Sequence, residues 1–401
     1  MAASVPIVAE MQGMYGPFTM AERVLQKIWL QQDFVARGVV LTDGRSLEVS
    51  SPGRWNLLGG PDFLQARLSI AGREVVGDVE VHFYSSDWQA HGHRANPAYR
   101  HVVLHVLLFP PAKGSAPARR GDGTAIPVLV LLPLLHRDLE EYVTDDALEA
   151  VTARDDWRRI AELNNLPGEQ VRELLCVRAR QRWVQKLGYA SQRIAKLGWE
   201  AAAHCTALEI LGYRRNRVPM LLVAGRWPLG SWRDGREVEE YLATAKNQWE
   251  RQGVRPANHP ATRLAQYAVW TARSPDWPTR LGDWAGHRPP WFPRFDASTA
   301  AIRRDVHFKL TQEFFRSEIM GEAVGGSRCH TLVCDGLLPL AAAWSGKDLS
   351  GLWFHWHPGD LPEQIRRAVR DLGVCQGRSN PLNHGCSQGM LAWLIEREVY
   401  A

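Results

Sequence analysis

The chain has 401 residues, 45% of them hydrophobic and 23% charged, with a formal net charge of +5. That length exceeds what one core usually serves, so two domains are expected, and the composition excludes a disordered chain. Apolar runs such as Ile126 to Leu135 fall short of the roughly 18 residues of a membrane span, and the first residues lack a basic leader with a sustained apolar core. No membrane partner is expected, and the location read from the sequence is cytoplasmic. Six cysteines, without regular spacing before position 329, suit buried thiols in a reducing compartment.

In chain order, the first element is a helix over Met20 to Phe34. Val24, Leu25, Ile28 and Trp29 recur at helical spacing, Thr19 is a suitable N-cap, and the acid Glu22 follows three residues on. Strands are predicted at 46–50, 63–70, 75–83, 101–108 and 126–132, and the Pro/Gly-rich segment Pro110 to Gly123 reads as a mobile loop. From about Asp138 the texture changes to long helical patterns, and beyond Gln252 tryptophan- and proline-rich segments alternate with helices. The expected architecture is α+β: a mixed sheet with flanking helices over 18–137, then a mainly helical domain over 138–401.

Chemistry concentrates in the second strand of the hairpin that turns at Ala71-Gly72. A side-chain period of two puts Val79, Val81 and Phe83 on one face and Asp78, Glu80 and His82 on the other. Five of the fourteen histidines, His82, His91, His93, His101 and His105, follow within a short stretch that also holds Asp87. Singly, each is an ordinary structural histidine. Clustered beside acids, Asp78, Asp87, His91 and His93 are candidates for a metal- or phosphate-binding pocket, because His91-x-His93 can bring two imidazoles to one ion.

The order of parts resembles the PD-(D/E)XK phosphodiesterase superfamily: a helix bearing Glu22, a strand, Pro61-Asp62 opening the next, and Glu80-Val81-His82 late in the third, with 17 residues between Asp62 and Glu80. An antiparallel hairpin would set those two carboxylates at the same end of the sheet. The resemblance implies catalytic roles for Glu22, Asp62, Glu80 and His82, with Asp62 and Glu80 holding Mg²⁺ or Mn²⁺. One position departs from the pattern, since His82 stands where the superfamily has lysine; a histidine there could be a general base or a ligand.

A second resemblance is carried by Glu22 with Trp29, Pro52-Gly53-Arg54-Trp55-Asn56, Gly60-Pro61-Asp62-Phe63, Gly77-Asp78-Val79-Glu80-Val81-His82 and Ser86-Asp87-Trp88 with His91 and His93. Tyr99 with His105, Leu211-Gly212-Tyr213 with Asn216, Arg255-Pro256-Ala257-Asn258 and Ser387-Gln388 extend it along the chain. Together these motifs look like the bacterial domain of unknown function family 2851, which brings no activity with it.

Cys329, Cys334, Cys375 and Cys386, beside His330 and His384, lack the Cys-x-x-Cys pairs of a zinc ribbon or knuckle, so they read as buried thiols rather than a structural zinc site. The basic residues are mostly arginine, which a GC-rich genome explains and which would also suit phosphate. Three functional readings follow: a metal-dependent nuclease whose helical domain grips nucleic acid, a non-catalytic nucleic-acid-binding or scaffold protein with a degenerate site, and a histidine-rich metallohydrolase acting on a small phosphoester.

Overall fold

The computed structural model describes residues 20–57, 59–112, 114–136, 139–153, 162–213, 216–246, 248–252, 254–288 and 298–399. Two compact units divide between Tyr142 and Val143, within helix α3 (Leu139–Ala153). The first holds a mixed sheet, and the second is mainly helical, as the sequence texture implies. Among the described residues no helix is long and apolar enough to cross a membrane.

Helix α1 (Glu22–Gln31) buries Val24, Leu25, Ile28 and Trp29 along one stripe. Its acid Glu22 lies in the first turn, where the helix dipole favours negative charge. It begins later than predicted, with Ala21 at the cap position and no side-chain cap, while Thr19 lies outside the described residues. It also stops earlier: Gln32 turns left-handed, and Phe34 bridges to Leu135 and stacks on Trp29.

Seven strands form one sheet: β1 (Val39–Val40), β2 (Ser46–Ser51), β3 (Arg54–Trp55), β4 (Phe63–Ile70), β5 (Arg73–His82), β6 (Val102–Leu107) and β7 (Val128–Val130). The order is β1-β2-β4-β5-β6-β7, with β3 also paired to β4. Pairing is antiparallel as far as β5 and parallel for β5–β6 and β6–β7. The sequence predicts five strands; β1 and β3, two residues each, are too short to show a period. β5 therefore has one neighbour of each kind. Its hairpin end is exposed from Arg73 to Glu74, but Asp78 through His82 are all buried, because a strand entering parallel pairing is covered on both faces. Val79 and Val81 join the core with α1, whereas Phe83, predicted to lie with them, falls past the strand end and is only half-buried.

The β4/β5 register slips between Phe63↔Val79 and Ala66↔Gly77. Gln65 sits in that bulge at φ +57, and its N–H is taken by Asp78 Oδ1 at 3.1 Å. The parallel β5–β6 step requires a crossover, supplied by residues 83–101 with the single-turn helix α2 (Asp87–Ala90) and 3₁₀ turns at His93–Ala95 and Pro97–His101. Trp88, Tyr99, Val102, Ala118 and Ile126 form a small core beneath it.

That core corrects the reading of Pro110 to Gly123 as one mobile loop. Its second half is anchored: Trp88 Nε1 donates to Arg119 O, Ile126 N–H donates to Ala118 O at 2.8 Å, and Arg119 bridges to Ala125. Limited proteolysis is accordingly expected to nick the chain between Pro110 and Pro117 before any bond from Ala118 to Ile126. First cleavage on the Ala118 side would show that the anchor does not hold.

The second unit is built on α4 (Gly168–Leu197) and the terminal helix His384–Val399. They approach so closely that a Cβ on Gly389 would lie 2.2 Å from Leu175 O, which only glycine accommodates. Trp270, Trp277, Trp353 and Trp356 are packed inside rather than offered for stacking. Several arginines of this unit are engaged by partners: Arg178 pairs with Glu396, Arg182 donates to Gln388, and Arg366 and Arg367 pair with Glu363 and Asp371.

Candidate metal and hydrolytic site

Hairpin register sets Asp62, at the mouth of β4, beside Glu80 near the end of β5. Asp62 N–H donates to Glu80 Oε2 at 3.0 Å, and Val81 N–H donates to Asp62 Oδ2 at 3.0 Å, so the carboxylate of Asp62 continues the ladder where β4 begins. Its other oxygen accepts from Gln26 Nε2 at 2.7 Å, and Gln26 is fixed in turn by Trp55 Nε1. Glu22 and Gln26 lie one turn apart on α1 and face the same pocket. Burial, reinforced by the Glu80 charge, pushes the Asp62 carboxyl up to about 7. Glu22 is raised for the same first reason, with the charges of Glu80 and Asp87 adding to it and His82 opposing.

On the other side of Glu80 lie the histidines. Glu80 Oε1 is 3.2 Å from His82 Nε2 and 3.0 Å from His93 Nε2. His82 Nε2 is also 3.2 Å from His91 Nδ1 and 3.3 Å from His93 Nε2. Burial opposes the charge on Glu80, but hydrogen bonds from His82 and His93 outweigh it and hold the carboxyl below its usual range. His82 is likewise disfavoured by burial yet raised on balance by Glu80. Its Nδ1 meets His105 Nε2 at 2.9 Å; His105, fully buried, is pushed down to about 3 and is therefore neutral. The His93 ring stacks on Tyr99 with centroids 3.9 Å apart, and Trp88 presents its edge to it.

Glu22, Asp62, Glu80, His82, His91 and His93 are thus brought into one neighbourhood. Asp78 turns away to close the bulge through Gln65, while Asp87 accepts from Tyr84 N–H at 2.9 Å in the turn before α2 and stays near enough for its charge to act on Glu22. Gln26 is not among the residues the sequence singles out, and Tyr99 and His105 enter there as family motifs and a clustered histidine without an assigned role. Gln26 carried a signal in its helical spacing from Glu22; His105 becomes legible only once β6 lies parallel to β5 with Glu80↔His105 in register.

The donor set decides which ion these residues suit. Both oxygens of Asp62 and one of Glu80 already accept protein hydrogen bonds, while Glu80 Oε1 lies among imidazole nitrogens. An all-oxygen Mg²⁺ shell between Asp62 and Glu80 does not fit that arrangement, whereas a nitrogen-rich set suits borderline transition ions. Among the described residues, His82, His91 and His93 form a group of three possible ligands whose donor atoms all lie within 4.8 Å of one another. The cysteines do not gather into such a group: Cys375 and Cys386 are neighbours, and Cys334 contacts His357 O.

An α+β unit with a histidine–carboxylate cluster at the end of its central strand is the class that fold and site define. Within it, the profile of the family described as protein of unknown function (DUF2851) matches residues 22–244, more than half of the chain, and the chain belongs to that family. No curated protein and no solved structure matches it.

Proposed function

We propose that the first unit is a divalent-metal-dependent, nuclease-like phosphodiesterase acting on nucleic acid. The observation that carries this reading is the meeting of Asp62 and Glu80 across the β4/β5 hairpin, beside Glu22 and in contact with His82. The order helix, antiparallel strands, crossover and parallel strand supports the PD-(D/E)XK resemblance. Asp62, raised to about 7, can exchange a proton near neutral pH and serves as the base for an attacking water. Gln26 and the Val81 N–H orient its carboxylate. His82 is tied to Glu80 and His105 and so helps hold the centre rather than reaching to substrate as a lysine would. A bound divalent ion would supply an acidified water and neutralise charge on the phosphate. A phosphate-rich partner is also suited to a cavity of about 460 Å³ in the second unit, lined by Arg303, Arg304, His307, Lys309 and His357 with no carboxylate in its wall.

The test supplies the purified chain with Mn²⁺ or Zn²⁺ and offers labelled single- and double-stranded DNA, RNA and bis(p-nitrophenyl) phosphate. Cleavage of at least one is expected, and Asp62→Asn should slow it by about 100-fold or more, the scale of a general base, with an unchanged circular dichroism spectrum. Absence of cleavage with either ion overturns the reading. Salt-sensitive retention on nucleic acid without cleavage would then favour the scaffold alternative, which the full engagement of the Asp62 oxygens by protein donors also supports.

A further inference from the structure

Distances within the histidine cluster carry a more specific conclusion. Glu80 Oε1, His82 Nε2, His91 Nδ1 and His93 Nε2 stand 3.0, 3.2, 3.2 and 3.3 Å apart along four of the six edges they define. A tetrahedron with metal–ligand bonds of about 2.0–2.1 Å has edges of about 3.3 Å. The atoms converge from three elements, β5, the end of α2 and the 3₁₀ turn after it; the three ring nitrogens lie within 4.8 Å of one another, and Glu80 Oε1 stands at that tetrahedral spacing from two of them.

Protons satisfy this arrangement only in part, since even a protonated His82 has one N–H at Nε2 for three partners. A neutral imidazole has one N–H, and Nε2 of His82 faces three partners at hydrogen-bond distance. If His82 and His93 both donate to Glu80, their N–H groups confront each other at 3.3 Å. If His82 accepts from His91 instead, it cannot donate to Glu80. One cation at the centre meets all four lone pairs at once.

Surrounding residues fix the rings accordingly. His82 Nδ1–H can donate to His105 Nε2, which leaves His82 Nε2 as a lone pair aimed at the centre, the arrangement by which an outer partner sets the tautomer of a metal-bound histidine. His93 is clamped between Tyr99 and Trp88. Glu80, His82 and His93 are buried, and His91 is exposed. Three ligands are therefore rigid, and the fourth stands at the solvent boundary.

We infer that Glu80, His82, His91 and His93 form a tetrahedral site for a transition ion of the Zn²⁺ class, with His91 the displaceable ligand and Asp62 outside the coordination shell. The site deepens the hydrolase reading, since an ion with a displaceable fourth ligand can take a water or a phosphate oxygen there. Its existence does not depend on that reading.

Co²⁺ titration of the full chain tests it, because four-coordinate Co²⁺ gives intense visible bands and six-coordinate Co²⁺ only faint ones. Intense bands are expected at one ion per chain, abolished by one equivalent of Zn²⁺ and untouched by excess Mg²⁺. His91→Ala, an exposed substitution that leaves the core alone, should weaken Zn²⁺ binding at least about tenfold, the loss that even an outer partner of a ligand produces. Asp62→Asn should leave the affinity unchanged. A faint six-coordinate spectrum, displacement by Mg²⁺, an unaltered affinity in His91→Ala or a loss in Asp62→Asn would each overturn the site. The tetrahedral signal without cleavage of any substrate would instead refute only the hydrolase.

Discussion

Replacement of Glu209 by alanine is expected to cost the second unit about 3–5 kcal/mol, the range for breaking a buried ion pair from one side. Arg193 is fully buried on α4, and Glu209 is 3% exposed on α5 (Trp199–Leu211). The guanidinium donates to Glu209 Oε2 at 2.8 Å and to Thr206 Oγ1 at 2.6 Å, while Arg217 approaches the other carboxylate oxygen at 3.5 Å. Removing the carboxylate leaves a buried positive charge facing an apolar gap. Urea unfolding followed by tryptophan fluorescence reads this unit well, since fourteen of the seventeen tryptophans lie beyond Tyr142. A loss below about 1 kcal/mol, the level of a surface pair, would show that the pair is not what joins these helices. The double variant Arg193→Met with Glu209→Leu should recover much of the loss, because the fully buried charge leaves with its partner and only the less deeply buried Arg217 loses a contact.

Acid should loosen the same unit through histidines that are buried neutral. His204 Nε2 lies 2.9 Å from Trp227 O, which can only accept, so that nitrogen carries the proton and Nδ1 accepts from Tyr267 OH at 2.7 Å. Burial pushes His204 down to about 4 and His384 down to about 3. Both lie below the value of about 6.5 for an unfolded histidine. Their contribution is thus fully present above about pH 6.5 and is lost as pH falls toward the folded values. For His204 the difference of about 2.5 units corresponds to about 3 kcal/mol by pH 4. The unfolding free energy should fall by about 1.4 kcal/mol per pH unit for each such group within that window. His204→Gln, which keeps a donor and an acceptor without a titrating ring, should remove one group's worth of the slope; an unchanged slope would mean that His204 is not sealed from protons.

Residues whose neighbours are close in sequence were the legible ones. Phe63 to Ile70 and the strand after Ala71-Gly72 announce their hairpin by period and turn, and the stripe of Val24, Leu25, Ile28 and Trp29 announces α1. The β5–β6 pairing was not legible, since the crossover is built from a four-residue helix and two 3₁₀ turns that leave no periodic trace. The strict alternation assumed for β5 could not foresee the bulge at Gln65, which draws Asp78 away from Glu80 and His82 into a backbone contact. Composition and spacing revealed that histidines cluster after His82. Which nitrogen faces which oxygen depends on the crossover's path. The segment Phe354-His355-Trp356-His357 is a packing junction: His355 meets Thr299, its carbonyl accepts from Arg303, and Trp356 donates to His330.

Locality of the cluster has a consequence for the order in which the chain matures. Glu80, His82, His91 and His93 fall within residues 80–93, so the whole set emerges from the ribosome ahead of β6 and β7. Loop closure over so few residues costs little entropy. An ion captured at that stage would pin the crossover and hold the end of β5 ready for its parallel neighbour, whose pairing is otherwise slow because it must wait for a distant strand. Metal supply during synthesis would then govern how fast the sheet closes, and starvation for the ion would appear first as poor yield of folded chain rather than as loss of turnover.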